Sequence, residues 1–173
     1  FDSEILNFPP FFTLQPVEET REKQLQLWQN LILDHFRSRR EYTLALAEWG
    51  LFENKEIARK LDLDGRRAVV EYMVRNGHAE WEDPETKLRA KVLWTTLEDW
   101  AAKLYSLAEA NGMIGNVYTL HELHAGDEAD EEFRGMDAEV FRKVVAVLEA
   151  DGRAKVFSVG SQEGVKFFHL ATS

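Results

Sequence analysis

Apolar side chains recur at helical intervals along most of the chain. Between residues 17 and 37 the apolar positions are three or four residues apart, which places Leu25, Trp28, Ile32 and Phe36 on one face of a helix. Similar spacing, with capping residues at the ends, predicts further helices at 54–61, 64–75, 96–110, 119–125 and 137–149. Two hairpins are predicted by β-type runs at 78–82 with 88–94 and at 155–159 with 165–168.

The two halves of the chain repeat each other. The segment 76–80 recurs as 151–155, and Tyr42-Thr43-Leu44 recurs as Tyr118-Thr119-Leu120. Each half has three helices followed by a hairpin, which is the order of a winged helix. The predicted fold is therefore mainly α with small β wings, in which residues 17–95 and 96–173 form two tandem winged helices.

Residues 1–16 differ in composition from the rest of the chain. They hold three of the four prolines, at positions 9, 10 and 16, and phenylalanines at positions 8, 11 and 12. Because proline fixes φ and disfavours helix, the pattern predicts an extended, polyproline-like arm. An aromatic-rich arm needs a surface to cover it, which is supplied either by a partner or by its own domain.

Charge and composition narrow the possible functions. The net charge of -10 argues against a protein that acts on the nucleic-acid backbone, and the absence of cysteine excludes thiolate chemistry, disulfides and cysteine-based metal sites. With no signal-peptide pattern, a cytoplasmic location is expected. Residues 1–95 carry 14 basic and 17 acidic groups, and residues 96–173 carry 7 and 14. The densest acidic run is 127–132, which forms either a solvated loop or a contact for a basic partner.

No motif in the chain predicts catalysis, a metal or a cofactor. His121 and His124 are three residues apart, whereas the zinc-protease motif needs two histidines four apart. The acidic run after Asp127 lacks the glycine that a calcium-binding loop needs at its sixth position. We therefore expect a non-enzymatic interaction protein without cofactors. A DNA-binding transcription regulator is the alternative, because Arg66, Arg67 and Arg75 lie on the helix that winged helices place in the major groove.

Three long motifs resemble the vacuolar protein sorting-associated protein 25 family, the small subunits of endosomal sorting complex II (ESCRT-II). They are the segments 8–25, 127–137 and 164–168, which read FPPFFTLQPVEETREKQL, DEADEEFRGMD and GVKFF. The resemblance extends over essentially the whole chain. It implies two tandem winged helices and a non-catalytic role in sorting ubiquitinated cargo into multivesicular bodies at the endosome.

The resemblance also implies partners and their contact residues. The family's Pro-Pro-x-aromatic arm docks on two larger sister subunits, in a complex that holds two copies of the small one. Here that motif corresponds to Pro9, Pro10, Phe11 and Phe12, although Phe12 lacks the hydroxyl of a tyrosine. As exposed docking groups, the two phenylalanines are expected to be replaceable without loss of the fold.

The second winged helix of the family recruits an ESCRT-III subunit, whose N-terminal half is basic. The acidic run supplies the complementary charge, so the predicted contacts are Asp127, Glu128, Asp130, Glu131 and Glu132. No nucleic acid is expected as a partner, and association with the endosomal membrane is expected to be indirect.

Overall fold

The chain divides into two compact units, with the boundary between Trp94 and Thr95. The computed structural model describes residues 4–170. Positions 1–3 of the predicted arm and positions 171–173 of the predicted second winged helix lie outside the described residues. Among the described residues, no helix is long and apolar enough to cross a membrane.

The first unit combines two long helices with two small antiparallel sheets. Its elements are α1 (Glu18–Arg39), β1 (Thr43–Ala45), β2 (Glu53–Asn54), β3 (Arg59–Lys60), α2 (Leu63–Arg75), β4 (Ala79–Trp81) and β5 (Arg89–Val92). Strands β1, β5 and β4 form one sheet in that order, and β2 pairs with β3 in the other. The predicted helix at 17–37 and the hairpin after residue 78 are confirmed.

The core of the first unit forms around the apolar face of α1. Trp28, Ile32 and Phe36 are almost completely buried, as the spacing along that helix predicted. Phe52 packs against Trp28 with ring centroids 5.3 Å apart. Helix α2 begins at an Asp62 cap, whose side chain accepts a hydrogen bond from the Gly65 amide.

The second unit has the same order of elements, except that a short helix takes the place of the β2–β3 hairpin. Its elements are α3 (Leu97–Ala110), β6 (Val117–Thr119), α4 (Leu120–His124), α5 (Ala138–Ala150), β7 (Ala154–Val159) and β8 (Gln162–Phe167). The sheet order is β6, β8, β7, which matches the order β1, β5, β4 of the first unit. The helices and small sheets fit the description of winged helices.

Side-chain caps fix where the helices of the second unit begin. Thr119 accepts a hydrogen bond from the Glu122 amide, and the Glu122 carboxylate accepts one from the Thr119 amide, so the two residues form a capping box. The Thr96 side chain caps α3 by accepting from the Asp99 amide, and the Asp137 side chain caps α5 by accepting from the amides of Glu139 and Val140. The repeated Tyr-Thr-Leu segments contribute β1 and β6, strands that the hydrophobic pattern did not predict.

The predicted helix at 54–61 is wrong. Asn54 does cap a helical turn, but this is a single 3₁₀ turn at Lys55–Ile57. Ala58 then adopts a left-handed conformation with φ of 53°, which reverses the chain. Arg59 therefore pairs with Asn54 and Lys60 with Glu53 in the small sheet.

The predicted extended conformation of the arm is also wrong. Ile5–Asn7 and Pro9–Phe12 form two 3₁₀ turns. Proline is compatible with the first positions of a helical turn, because these positions need no amide donor and the fixed φ is already suitable. The second turn folds back on α1, so the arm is part of the first unit.

Candidate functional site

Two phenylalanines anchor the N-terminal segment in the core of the first unit. Phe11 and Phe12 are each only 3% exposed. Phe11 stacks on Trp28 with ring centroids 4.1 Å apart and an interplanar angle of 8°, and Phe12 packs edge-on against the same ring at 5.7 Å. Aromatic packing of this kind contributes beyond the burial of apolar area. The expectation that both rings are exposed docking groups is therefore not met in the structure of the single chain.

A buried glutamine holds the backbone of this segment. The Gln24 side-chain amide donates to the carbonyl oxygens of Phe11 at 3.1 Å and Thr13 at 2.8 Å, and its oxygen accepts from the Gln15 amide at 3.0 Å. The indole nitrogen of Trp28 donates to the Phe11 carbonyl at 3.0 Å. Because Gln24 is 6% exposed, these bonds satisfy polar groups that would otherwise be buried without partners.

Three apolar residues of the same segment face outward. Pro9 and Pro10 are exposed, and the Phe8 side chain next to them is 55% exposed. We call Phe8, Pro9 and Pro10 the proline surface. The structure thus divides the predicted docking residues into an exposed pair of prolines and a buried pair of phenylalanines. Phe8 was not among the predicted site residues, because the side of the chain that faces solvent is set by packing on α1.

The acidic run of the second unit is an ordered loop rather than a free chain. Ala129, Phe133 and Met136 are buried within the unit. The Asp130 side chain accepts a hydrogen bond from the Glu132 amide at 3.0 Å, and the Arg134 side chain donates to the Ala129 carbonyl at 2.7 Å. These contacts determine which carboxylates point outward.

The five predicted acidic contacts differ in their surroundings. Asp127, Glu128, Asp130 and Glu131 are exposed. Glu132 is only partly exposed and accepts hydrogen bonds from the Trp100 indole at 3.1 Å and from the Lys103 ammonium at 3.3 Å. Its carboxylate therefore ties the loop to α3.

An apolar groove lies beside the outward-facing acids. The groove has a volume of about 460 Å³. We call its buried and half-buried apolar residues the floor and its exposed acidic residues the rim. The floor consists of Leu104, Leu107, Met113, Leu123 and Ala129, the rim consists of Glu122, Glu128 and Asp130, and Asn111 and Tyr118 complete the lining. An apolar floor with an acidic rim suits an amphipathic helix that carries basic residues beside its apolar face.

The histidines of α4 have structural contacts. The His124 Nδ1 atom lies 3.0 Å from the Met136 carbonyl oxygen, and its ring stacks on Phe141 with centroids 5.1 Å apart. The rings of His121 and His124 have centroids 6.2 Å apart. Within residues 4–170 there is no group of three histidine, aspartate or glutamate side chains placed to hold a metal ion.

Two of the three arginines behind the DNA-binding alternative make internal contacts. The Arg66 guanidinium donates to the carbonyls of Leu61 and Leu46, each at 2.6 Å, and lies over the Phe52 ring. Burial lowers the pKa of Arg66. Arg67 donates to the backbone of the loop before β5. The guanidinium groups of Arg66 and Arg67 are thus engaged within the first unit, which leaves few donors on α2 for phosphate.

The helices and the small three-stranded sheet in each of the two units fit the description of a winged-helix protein. A family model described as ESCRT-II complex subunit matches residues 5–137. The chain therefore belongs to the family of ESCRT-II complex subunits.

Similar proteins and structures agree with this assignment. The chain is 40% identical over 166 residues to vacuolar protein-sorting-associated protein 25 of Danio rerio, with 94% of this chain and 95% of that protein covered. It is 36% identical to the protein of the same name from Arabidopsis thaliana, with 95% and 93% covered. The fold resembles a crystal structure of subunit VPS25 of the endosomal trafficking complex ESCRT-II, with a TM-score of 0.81 at 24% identity over 94% of this chain and 96% of that one.

Proposed function

We propose that the chain is a non-catalytic adaptor subunit of ESCRT-II that sorts ubiquitinated cargo into multivesicular bodies. The observation that carries the proposal is the proline surface, an exposed apolar patch fixed in place by buried hydrogen bonds from Gln24 and Trp28. A fixed apolar patch binds a partner at low entropy cost. Membership in the ESCRT-II complex subunit family supports sister subunits as that partner.

Each of the four predicted docking residues has a part in this proposal. Pro9 and Pro10 contact the sister subunits directly, together with Phe8. Phe11 and Phe12 act from inside the first unit, where their rings hold the turn against Trp28. A solved structure named as the endosomal complex ESCRT-II with VPS22, VPS25 and VPS36 has a similar fold, with a TM-score of 0.80 at 23% identity over 94% of this chain and 97% of that one. Two larger subunits of this kind are the proposed partners.

The proposed assembly contains two copies of this chain and one of each larger subunit. Its two units act as tandem winged helices, the first docking on the sisters and the second recruiting ESCRT-III. The complex is cytoplasmic and is recruited to the endosomal membrane through its partners rather than by direct contact of this chain.

The proposed ESCRT-III contact is the groove of the second unit with its acidic rim. Asp127, Glu128, Asp130 and Glu131 attract a basic segment, and Glu132 keeps the loop on α3. The apolar floor then covers the apolar face of a bound helix. Charge of this kind acts mainly on the association rate and is screened over about 8 Å at physiological salt.

Docking on the sisters is tested by replacing both prolines of the surface. We expect Pro9→Ala with Pro10→Ala to weaken binding to the two larger subunits by about tenfold or more, because the turn loses both contact area and rigidity. Pro84→Ala is the matched control, since Pro84 is also exposed but lies in the β4–β5 turn. Equal affinities of the double variant and the control would refute docking through the proline surface.

Recruitment of ESCRT-III is tested by removing charge from the loop. The variant Asp127→Asn, Glu128→Gln and Asp130→Asn should associate more slowly with an ESCRT-III subunit and should show a flatter dependence on salt. The control changes three exposed acids at the start of α1, Glu18, Glu19 and Glu22, to glutamine, which alters the net charge equally. Identical association rates for the variant, the control and the wild type would contradict the proposed contact.

A further inference from the structure

A basic hairpin lies beside the proline surface. Strand β3, which contains Arg59 and Lys60, lies next to the 3₁₀ turn that carries Pro9 and Pro10. The Asn54 side chain also joins the two regions, since it donates to the Leu6 carbonyl at 2.6 Å. The hairpin and the proline surface therefore form one continuous face of the first unit.

The cations of this hairpin are available to a partner. Lys55, Arg59 and Lys60 are all exposed. None of them makes a salt bridge with a carboxylate among residues 4–170, and the recorded bond of Arg59 is to the neighbouring Ala58 carbonyl at 3.3 Å. In contrast, other cations of this unit are paired, such as Lys87 with Glu71 and Arg89 with Glu82.

The hairpin is concave. It forms an open surface depression of about 360 Å³ that is lined by Glu53, Asn54, Lys55, Ala58, Arg59 and Lys60. The lining holds three cations and one carboxylate. Its shape is fixed by the Asn54 cap, whose oxygen accepts from the Glu56 amide at 3.0 Å, and by the left-handed Ala58. A depression of this size admits a side chain, and its charge favours an acidic one.

We propose that this basic hairpin extends the proline surface and binds a carboxylate side chain of a sister subunit. The inference rests on the proposed docking of the proline surface. It adds that the docked sister subunit presents a negative charge next to that surface. Arg59 offers a planar set of donors that matches a carboxylate, and Lys60 adds a second positive charge beside it. The apolar contact supplies most of the affinity, whereas the charge pair sets the register in which the sister docks.

The test is reversal of charge at Arg59 in the full-length chain. The cross-strand partner of Arg59 is the neutral Asn54, so Arg59→Glu does not oppose two like charges within the sheet. Lys155→Glu is the matched control, because Lys155 is also an exposed strand cation but lies in the second unit. Binding to the purified pair of larger ESCRT-II subunits is measured by calorimetry or interferometry at low and high salt.

We expect Arg59→Glu to lower the affinity by about tenfold at low salt and by much less at high salt, where the pair is screened. Arg59→Gln should lose less than Arg59→Glu, and Lys155→Glu should match the wild type. Urea unfolding of each variant establishes that the fold is retained.

Several results would overturn the inference. If Arg59→Glu binds like Lys155→Glu while the change at Pro9 and Pro10 weakens binding, the hairpin has no part and the docking proposal stands. If the wild type itself does not bind the larger subunits, both proposals fail together. Binding to vesicles that contain phosphatidylserine is measured in parallel. If Arg59→Glu abolishes vesicle binding but leaves binding to the larger subunits unchanged, the hairpin faces a membrane rather than a carboxylate of a sister subunit.

Discussion

Replacement of Phe11 by alanine tests whether the N-terminal segment is part of the first unit. The Phe11 ring is 3% exposed and stacks on Trp28 at 4.1 Å. Alanine at such a site removes the buried ring and leaves a cavity, which typically costs about 3–5 kcal/mol. The variant can also lose the packing of the whole segment on α1, so the docking free energy of the segment sets an upper limit on the loss. We therefore expect the free energy of unfolding to fall by about 3 kcal/mol.

The matched control is Phe8→Ala. The Phe8 ring belongs to the same segment but is 55% exposed, so its loss should cost less than about 0.5 kcal/mol. Unfolding in urea is followed by tryptophan fluorescence, which reports mainly on the first unit because four of the five tryptophans lie within residues 1–94.

Coincident urea midpoints for Phe11→Ala, Phe8→Ala and the wild type would refute this account of the segment. In that case the rings would be free to leave α1, and the original expectation of an arm that can be altered without loss of the fold would stand. A lower midpoint for Phe11→Ala alone would instead place the anchor inside the first unit.

Three further changes probe single contacts. Gln24→Leu should cost about 1–3 kcal/mol in urea unfolding, because the carbonyls of Phe11 and Thr13 each lose one of two donors and the Gln15 amide loses its acceptor. Gln26→Leu is the control and should cost less, since the hydrogen bonds of Gln26 with Asn30 and Tyr72 are exposed. Arg66→Met should destabilise by about 2 kcal/mol, since two carbonyls lose a charged donor; an unchanged midpoint would argue against its internal role. Burial, with Arg39 nearby, lowers the pKa of His35 below 6.5, so the unfolded chain binds a proton more readily and stability falls as the pH drops through this value. In His35→Gln this part of the pH dependence, measured by thermal melts between about pH 5 and 8, should disappear.

Much of the secondary structure follows from local signals. The side chains of Asp62, Thr96 and Thr119 cap helices by bonding to amides within three residues of their own position. A short stretch of sequence is therefore enough to predict where these helices begin. The apolar spacing of α1 likewise predicted that Trp28, Ile32 and Phe36 form a core face. Composition likewise indicated an acidic loop at 127–132, where Asp127, Glu128, Asp130 and Glu131 are exposed, and the contact of this loop with ESCRT-III stays a prediction.

Other features depended on contacts between residues far apart in the chain. The segment 53–60 has a good helix cap at Asn54, yet a left-handed Ala58 and the bond from Leu61 to the Phe52 carbonyl turn it into a hairpin. Strands β1 and β6 are three residues long and exist through pairing with β5 and β8, so they carry little periodicity of their own.

The N-terminal segment shows most clearly what the sequence determined and what the tertiary structure decided. Its prolines and phenylalanines marked it as an unusual, interaction-prone stretch from composition alone. Whether a given ring is buried was decided by Gln24 and Trp28, which lie more than ten residues away and fix the backbone through hydrogen bonds. Burial is a property of the packed surface of α1, and so the division into buried Phe11 and Phe12 and exposed Pro9 and Pro10 emerged only in the folded chain.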